Sequence, residues 1–264
     1  MSGDETMVML VSMVVAAVAW YRWYAATRVK TLAIRNAGRF LFVATPPISL
    51  ALLFVVLRLW AADDVRSSGT YLAFYMFAGA AWVGFSVLWL GFLGISPRDD
   101  VIERQNLAAA FAISGAVVGI TFCYAGANIG NGPGWWVVVF SAGLATIAFF
   151  GLWAMIERLT TISESVTVDR LVGAGLRLGG LLIAMGMILG RAVAGDWVSA
   201  AATVRDFALV AWPVVPLTLL AVVVERVRSP DASHQEGESL VGLFVAMVYL
   251  AIAGLYVFVW QGHP

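Results

Sequence analysis

The chain is a succession of apolar segments, each long enough to cross a lipid bilayer, separated by short polar gaps. The hydrocarbon core of a bilayer requires about 20 apolar residues in helical form. The pattern therefore predicts an all-α fold, a polytopic membrane helix bundle of about eight transmembrane helices. The predicted spans are Val8–Ala26, Phe40–Trp60, Tyr71–Leu93, Leu107–Ala127, Trp135–Ile156, Leu171–Val193, Phe207–Val224 and Leu240–Trp260.

Composition narrows the classes of partner. With 61% hydrophobic and 12% charged residues, the chain belongs in the lipid bilayer, and eight spans in 264 residues leave no room for a separate soluble domain. The net charge of zero gives no case for a nucleic-acid partner. Cys123 is the single cysteine, and the histidines, His234 and His263, lie beside no credible catalytic group. We therefore expect no catalytic residue, no cofactor and no metal, and a protein that is not an enzyme.

The distribution of charge predicts the topology. Asp4 and Glu5 precede the first apolar segment and arginines follow it, which is the reverse of a cleavable signal peptide. Placing most of the 16 basic residues in cytoplasmic connections puts the amino terminus outside. We expect a multi-pass protein of the bacterial inner (plasma) membrane with both termini external.

Two helix pairs resemble each other, which suggests an internal repeat. The pair 104–159 ends near Glu157, the pair 169–227 ends near Glu225, and Gly115 aligns with Gly180. Because each copy contains two spans, the copies would be parallel repeats, and we expect a pseudo-twofold arrangement. The predicted organisation is residues 1–99 as amino-terminal helices that form a diverged unit, 100–228 as two tandem units, and 229–264 as a polar loop with a final span.

Small residues are concentrated in the first helix of each pair. In lipid, such residues let helix backbones approach closely and so recover dispersion energy. We favour tight helix packing over a pore-lining face. The predicted packing positions are Gly115, Gly119, Gly175, Gly179, Gly180, Gly186 and Gly190.

Few ionisable residues fall within the spans, and each is a functional hypothesis because burial in lipid is costly. Arg177 is expected to pair with Glu157 or Glu225, or to extend to the cytoplasmic headgroups. Arg191 is expected to pair with Asp206, or with Asp196, near the external surface. Structural ion pairs are favoured over a substrate site in both cases.

Polar and helix-breaking residues give further hypotheses. Asn128 stands in a glycine-rich string, 126–136, that predicts a tight turn between two spans. A carbonyl-lined filter is the alternative, but it requires the string to re-enter the membrane. The prolines at 46, 47, 213 and 216 are expected to kink or break their helices.

Three strings carry a family resemblance: Tyr124–Trp136, Ala174–Gly180 and Leu189–Trp197. They resemble a bacterial inner-membrane family of unknown function, the YjfL-like proteins, whose members are built from repeated two-helix units. The resemblance covers about residues 100–228. It implies an inner-membrane location and a repeated architecture, and it brings no reaction, cofactor or catalytic residue.

Two functions remain in view. The first is a non-enzymatic integral membrane protein that acts through assembly with other membrane or envelope proteins, a homo-oligomer included. The alternative is a transporter or channel for a small solute or ion. A water-filled cavity reaching the middle of the membrane would favour the alternative.

Overall fold

The chain is an all-helical membrane bundle, as predicted, and a computed structural model describes residues 1–28, 37–227 and 235–260. Seven helices in these ranges are long and apolar enough to cross a membrane, and a bent pair gives an eighth span. His234 and His263 lie outside the described residues. The helices are α1 (Gly3–Ala26), α2 (Ala37–Leu59), α3 (Asp63–Ser67), α4 (Gly69–Ser86), α5 (Leu107–Gly126), α6 (Trp135–Thr160), α7 (Ile162–Thr167), α8 (Val172–Ala192), α9 (Ala200–Val210), α10 (Val214–Val227) and α11 (Gln235–Trp260).

The long helices form two rows. In the first row α2, α5, α8 and α11 pack one on the next and run in the same direction. The second row contains α1, α4, α6 and α10, which run the other way; Trp20 of α1 donates to Ala80 O of α4, and Trp82 of α4 donates to Thr146 of α6. We call the membrane surface where α1 begins the Met1 face, and the other surface the opposite face.

Contacts between neighbours within a row have similar spacings in sequence, from 60 positions between Trp20 and Ala80 upward. Hydrogen bonds join Trp82 to Thr146, 64 positions apart, and Arg226 to Leu159, 67 positions apart. Thr45 of α2 meets Ser114 of α5 across 69 positions. Successive helices of a row therefore sit side by side at nearly the same depth in the membrane.

The arrangement of α5 and α8 differs from the expected pseudo-twofold. A twofold axis between them would set Gly180 against α5, as Gly115 is set against α8. Gly115 does face Gly179 of α8, but Gly180 faces the next helix, where a Cβ would lie 2.6 Å from the Cβ of Ala246. Gly180 of α8 thus faces α11 in the way that the aligned Gly115 of α5 faces α8. The two helices are therefore related by a sideways shift along the row and not by a rotation of half a turn.

The interface between α5 and α8 is made backbone to backbone. A Cβ at Gly115 would collide with the Gly179 backbone, and one at Gly186 with the Gly119 carbonyl. The predicted packing glycines therefore lie where helices touch, and side chains there would force the helices apart. Those facing between α5 and α8 are Gly115, Gly119, Gly175, Gly179, Gly186 and Gly190, while Gly180 faces α11.

The two prolines at 46 and 47 do not break α2, which continues from Ala37 to Leu59. Proline lacks an N–H, so these residues leave the carbonyls four positions earlier without their helical donors. Aromatic side chains of α1 supply them: Trp23 Nε1–H donates to Phe42 O at 3.2 Å, and the Tyr24 hydroxyl donates to Val43 O at 3.3 Å. The expected break is thus absent because a neighbouring helix satisfies the freed groups.

Other boundaries differ from the sequence prediction. The bent pair turns by 45° between α9 and α10, next to Pro213, and it begins at Ala200 instead of Phe207. The last helix begins at Gln235, so residues 235–239 of the predicted polar loop are helical, and residues 228–234 lie outside the described ranges. The domain boundary placed after residue 99 falls inside one π-helical turn, Pro97–Glu103.

Candidate functional site

A buried ion cluster centres on Arg177, near the start of α8 at the opposite face. The Arg177 side chain is 3% exposed, and its Nε and Nη2 atoms donate to the two carboxylate oxygens of Glu225 at 2.6 and 2.8 Å. Its Nη1 atom donates to Glu238 of α11. This forked geometry is the strong form of an arginine–carboxylate pair. One guanidinium therefore ties together α8, α10 and α11.

Gly173 allows Glu238, the third member of this cluster, to approach Arg177. A Cβ at Gly173 would collide with the Glu238 carbonyl and lie 2.9 Å from its side-chain Oε1. The bare backbone of α8 thus lets the first turn of α11 approach Arg177. Sequence reasoning missed Glu238 because it placed this residue in a loop. Extending the last span back by one turn would have put Glu238 on the same face as Gly242, which packs on Gly173.

Glu157, the other candidate partner, does not meet Arg177. It ends α6 and accepts the backbone N–H of Ser163 at 3.0 Å and the Ser163 hydroxyl at 2.5 Å. In the alignment that pairs Gly115 with Gly180, the residue of α5 corresponding to Arg177 is Ala112. The first helix pair therefore has the acid without the arginine, and a serine takes the guanidinium's place.

Arg191 lies at the other end of α8, in a groove of about 700 Å³ at the Met1 face. Its half-buried guanidinium donates from Nη1 to Ala194 O at 3.3 Å and has no carboxylate within ion-pair distance among the described residues. The expected pairs with Asp206 and Asp196 are therefore wrong. Asp206 is exposed, and its Oδ1 lies 3.5 Å from Arg205 Nε. Asp196 accepts a hydrogen bond from the backbone N–H of Asn131.

The glycine-rich string forms a turn that is fastened to the loop between α8 and α9. Gly195 N–H donates to Ile129 O and Trp197 N–H to Asn131 O, both at 2.8 Å. Asp196 Oδ1 accepts the Asn131 backbone N–H at 2.6 Å and its side-chain Nδ2 at 3.1 Å. These contacts hold the string at the Met1 face as a plain connection between α5 and α6.

The turn covers a small polar cavity of about 50 Å³. Asn128, 4% exposed, donates from Nδ2 to Tyr124 O at 2.8 Å, but its Oδ1 has no hydrogen-bond partner. Ser141 is 3% exposed and makes no hydrogen bond to any described residue. Asp64, Tyr75, Asn131 and Thr203 also line the cavity. Two buried polar side chains therefore line the cavity with an oxygen that has no partner from the described chain.

Comparison with known proteins adds no relative: no protein family, curated protein or solved structure matches this chain. The resemblance to YjfL-like proteins stays a prediction. Within the ranges 1–28, 37–227 and 235–260, no three His, Cys, Asp or Glu side chains are grouped so that they could hold a metal ion. Function must therefore be argued from the geometry of the ion cluster, the groove and the cavity.

Proposed function

We propose that this multi-pass membrane protein is a non-enzymatic assembly component of the bacterial inner membrane. The observation that carries the proposal is the open row formed by α2, α5, α8 and α11. In α8, 78% of the most apolar stretch is buried against other parts of the chain, whereas in α11 only 22% of that stretch is buried. The row ends at α11 without closing into a ring.

The way the row is built supports assembly. Each helix contacts its two neighbours through different faces, as Gly179 facing α5 and Gly180 facing α11 illustrate. Contacts of this heterologous kind can be extended by a further helix wherever they have not closed into a ring. The exposed face of α11, with Phe244, Met247 and Phe258, is where another chain, or a second copy of this one, would continue the row.

Rigidity favours a scaffold over a moving transporter. Backbone-to-backbone contacts between α5 and α8 leave no side-chain layer that could slide, and Arg177 fixes α8 to α10 and α11. The contacts at intervals of 64 to 69 residues support the proposed internal repeat of two-helix units. The charge bias supports a cytoplasmic opposite face, with both termini external.

A site-specific photo-crosslinker tests the assembly role. It is placed at Met247 on α11 in living cells, with Ile147, another exposed apolar position, on α6, as the matched control. We expect one product of reproducible mass from Met247 and none from Ile147. The partner is accepted only if it is this chain or a membrane protein whose own crosslinker recovers this chain. Equal, heterogeneous products at both positions would refute the proposal.

The groove at Arg191 favours a second candidate, a transporter or channel for a small solute or ion. A half-buried cation facing a groove of about 700 Å³ is a reasonable first contact for an anionic solute. Uptake of small anions into proteoliposomes measures this directly. A flux that is lost in Arg191→Gln and kept in Arg205→Gln would replace the assembly role with transport.

A further inference from the structure

We propose that the cavity beneath the glycine-rich turn binds a small monovalent cation, an alkali-metal or ammonium ion, from the solution at the Met1 face. The side chains that would hold the ion are Asn128, Ser141 and Asp64, all of which line the cavity. The cavity lies in a different region of the chain from α11, so ion binding there is independent of the assembly role.

The orientation of the Asn128 amide determines what the cavity offers. Tyr124 O is a carbonyl and can only accept, so the amide nitrogen must be the atom at 2.8 Å from it. The Oδ1 atom is then the one left without a partner. A buried acceptor in this state requires a donor or a cation.

Ser141 adds a second oxygen to the lining of the cavity, from α6. It lies six residues into α6, so its depth below the start of that helix is about 9 Å. Ser141 is buried, and its hydroxyl has no partner in the described parts of the chain. The turn after α5 and the helix α6 therefore each contribute a buried polar side chain to one cavity.

Among the described residues that line the cavity, Asp64, an exposed side chain, is the one acid. Asp63 is paired with Arg66, whereas Asp64 accepts only the Val65 backbone N–H at 2.9 Å among the described residues. Tyr75 of α4 also lines the cavity. Arg58 donates to the Arg66 carbonyl. Asp64 is thus in no ion pair with a described residue, and its carboxylate is available to a cation at the cavity.

Size and ligand type define the class of ion. A water molecule needs about 10–15 Å³ of such volume, so a cavity of about 50 Å³ holds one ion with a few waters and excludes larger solutes. Amide, hydroxyl and carboxylate oxygens are ligands of hard cations. Calcium sites use six to eight oxygens, usually with several carboxylates, so a single carboxylate indicates a monovalent ion.

The turn that forms the roof is preorganised. Gly130 has φ +108°, and a Cβ there would collide with the Gly195 carbonyl, so the roof can approach the α8–α9 loop only as glycine. The Asn131–Asp196 bonds hold the same two loops together. A fixed roof keeps the oxygens in place before an ion enters, which lowers the entropic cost of binding.

The test uses the purified full chain in detergent at constant ionic strength. The thermal midpoint is followed as choline chloride is replaced by sodium, potassium or ammonium chloride, and binding is measured directly with radioactive sodium and rubidium. We expect a saturable rise with at least one ion, since a ligand that binds only the folded state raises its stability. Asp64→Asn should weaken the affinity at least tenfold, and Asp206→Asn, an exposed acid at the same face, should not change it.

Two further variants separate an ion site from a water site. Asn128→Leu and Ser141→Ala should each abolish the saturable response while the fold is retained, as judged by size-exclusion profile and helical content. If Asn128→Leu does not fold, the Ser141→Ala and Asp64→Asn variants decide. A midpoint indifferent to the cation, or a saturable response that persists in both Ser141→Ala and Asp64→Asn, would mean that the cavity holds only water and would overturn the proposal.

Discussion

The ion cluster around Arg177 and the cavity around Asn128 are two buried polar regions that differ in how their groups are satisfied. At Arg177, three donor atoms of one guanidinium meet two carboxylates. At Asn128, an amide oxygen and the nearby Ser141 hydroxyl meet no partner in the described chain. Both regions are near the ends of spans, and each centres on a residue, Arg177 or Asn128, that the sequence singles out.

The difference separates a structural role from a binding role. A buried charge with all its partners supplied by the chain stabilises one packing of its helices and leaves nothing to offer a ligand. A buried acceptor without a partner is an unfavourable feature unless something else binds there. The polar groups that lack partners, and not the most strongly charged ones, are therefore the better candidates for function in this protein.

Removing the Arg177 guanidinium should cause the largest loss of stability. Arg177→Met keeps the apolar stem and deprives the buried Glu225 and the partly exposed Glu238 of their bonds to the guanidinium. We expect the free energy of unfolding to fall by about 3–5 kcal/mol, measured by denaturant titration in mixed micelles.

The control and the rescue make this result specific. Arg205→Met, at an exposed pair, should change stability by less than about 1 kcal/mol. Adding Glu225→Gln and Glu238→Gln to Arg177→Met should restore part of the loss, because the stranded charges disappear. If Arg177→Met is as stable as the original chain, the cluster is not structural and the contrast with the cavity disappears.

A smaller loss is expected when one acid of the cluster is neutralised. Glu225→Gln leaves Arg177 with Glu238 and should cost about 1.5–3 kcal/mol, the range for hydrogen bonds to charged groups. Glu157→Gln is the matched change in the first helix pair, where the acid meets only Ser163, and should cost about 1 kcal/mol or less. Equal effects on thermal stability would show that Arg177 adds nothing to its acid.

The sequence predicted the spans well because their signal is local. A run of about 20 apolar residues is sufficient to identify a membrane helix. The glycine contacts were also predictable in kind, since small residues at helical spacing indicate close approach. Which helix each glycine meets was not: Gly180 was expected at the interface of two repeats, and it lies against Ala246 of α11.

The partners of the polar residues were harder to predict because they come from distant positions. Glu225 was predicted from its place at a helix end, but Glu238 was missed because the helix begins five residues earlier than its apolar run. Asn128 was expected in a tight turn, and there its Nδ2 donates to the Tyr124 carbonyl. The sequence could not show that its Oδ1 would be enclosed without a partner, because that depends on the cover formed by residues 195–197.

The interface between α5 and α8, which lies between the two regions, should also be sensitive to a single added methyl group. Gly115→Ala puts a Cβ against the Gly179 backbone, which cannot rotate away, and overpacking of this kind costs about 1–3 kcal/mol. Gly151→Ala is the control, because nothing lies within 4 Å of a Cβ at that position of α6. A lower thermal midpoint is expected for the first variant only; an unchanged Gly115→Ala would mean that α5 and α8 are not in contact there.

The smallest effect is expected at Asn128, and it tests the comparison most directly. Asn128→Leu, like Arg177→Met, replaces a polar side chain with an apolar one of similar size. The acceptor that it removes, however, has no partner in the described chain. The loss of the bond to Tyr124 O and the relief of the orphaned Oδ1 should nearly cancel. In choline chloride, where no small cation fills the cavity, we expect the free energy of unfolding to change by less than about 1 kcal/mol.

In saturating concentrations of the preferred cation the same variant should fall behind the original chain, because only the original gains stability from the ion. The informative quantity is thus how much a variant's loss of stability, relative to the original chain, changes between the two salts. This change should be near zero for Arg177→Met, because that variant keeps the cavity and gains the same stability from the ion as the original chain. A large loss for Asn128→Leu in choline chloride would show that its oxygen is already satisfied within the folded chain. The cavity would then belong with the ion cluster as a structural element, and the distinction between the two regions would fail.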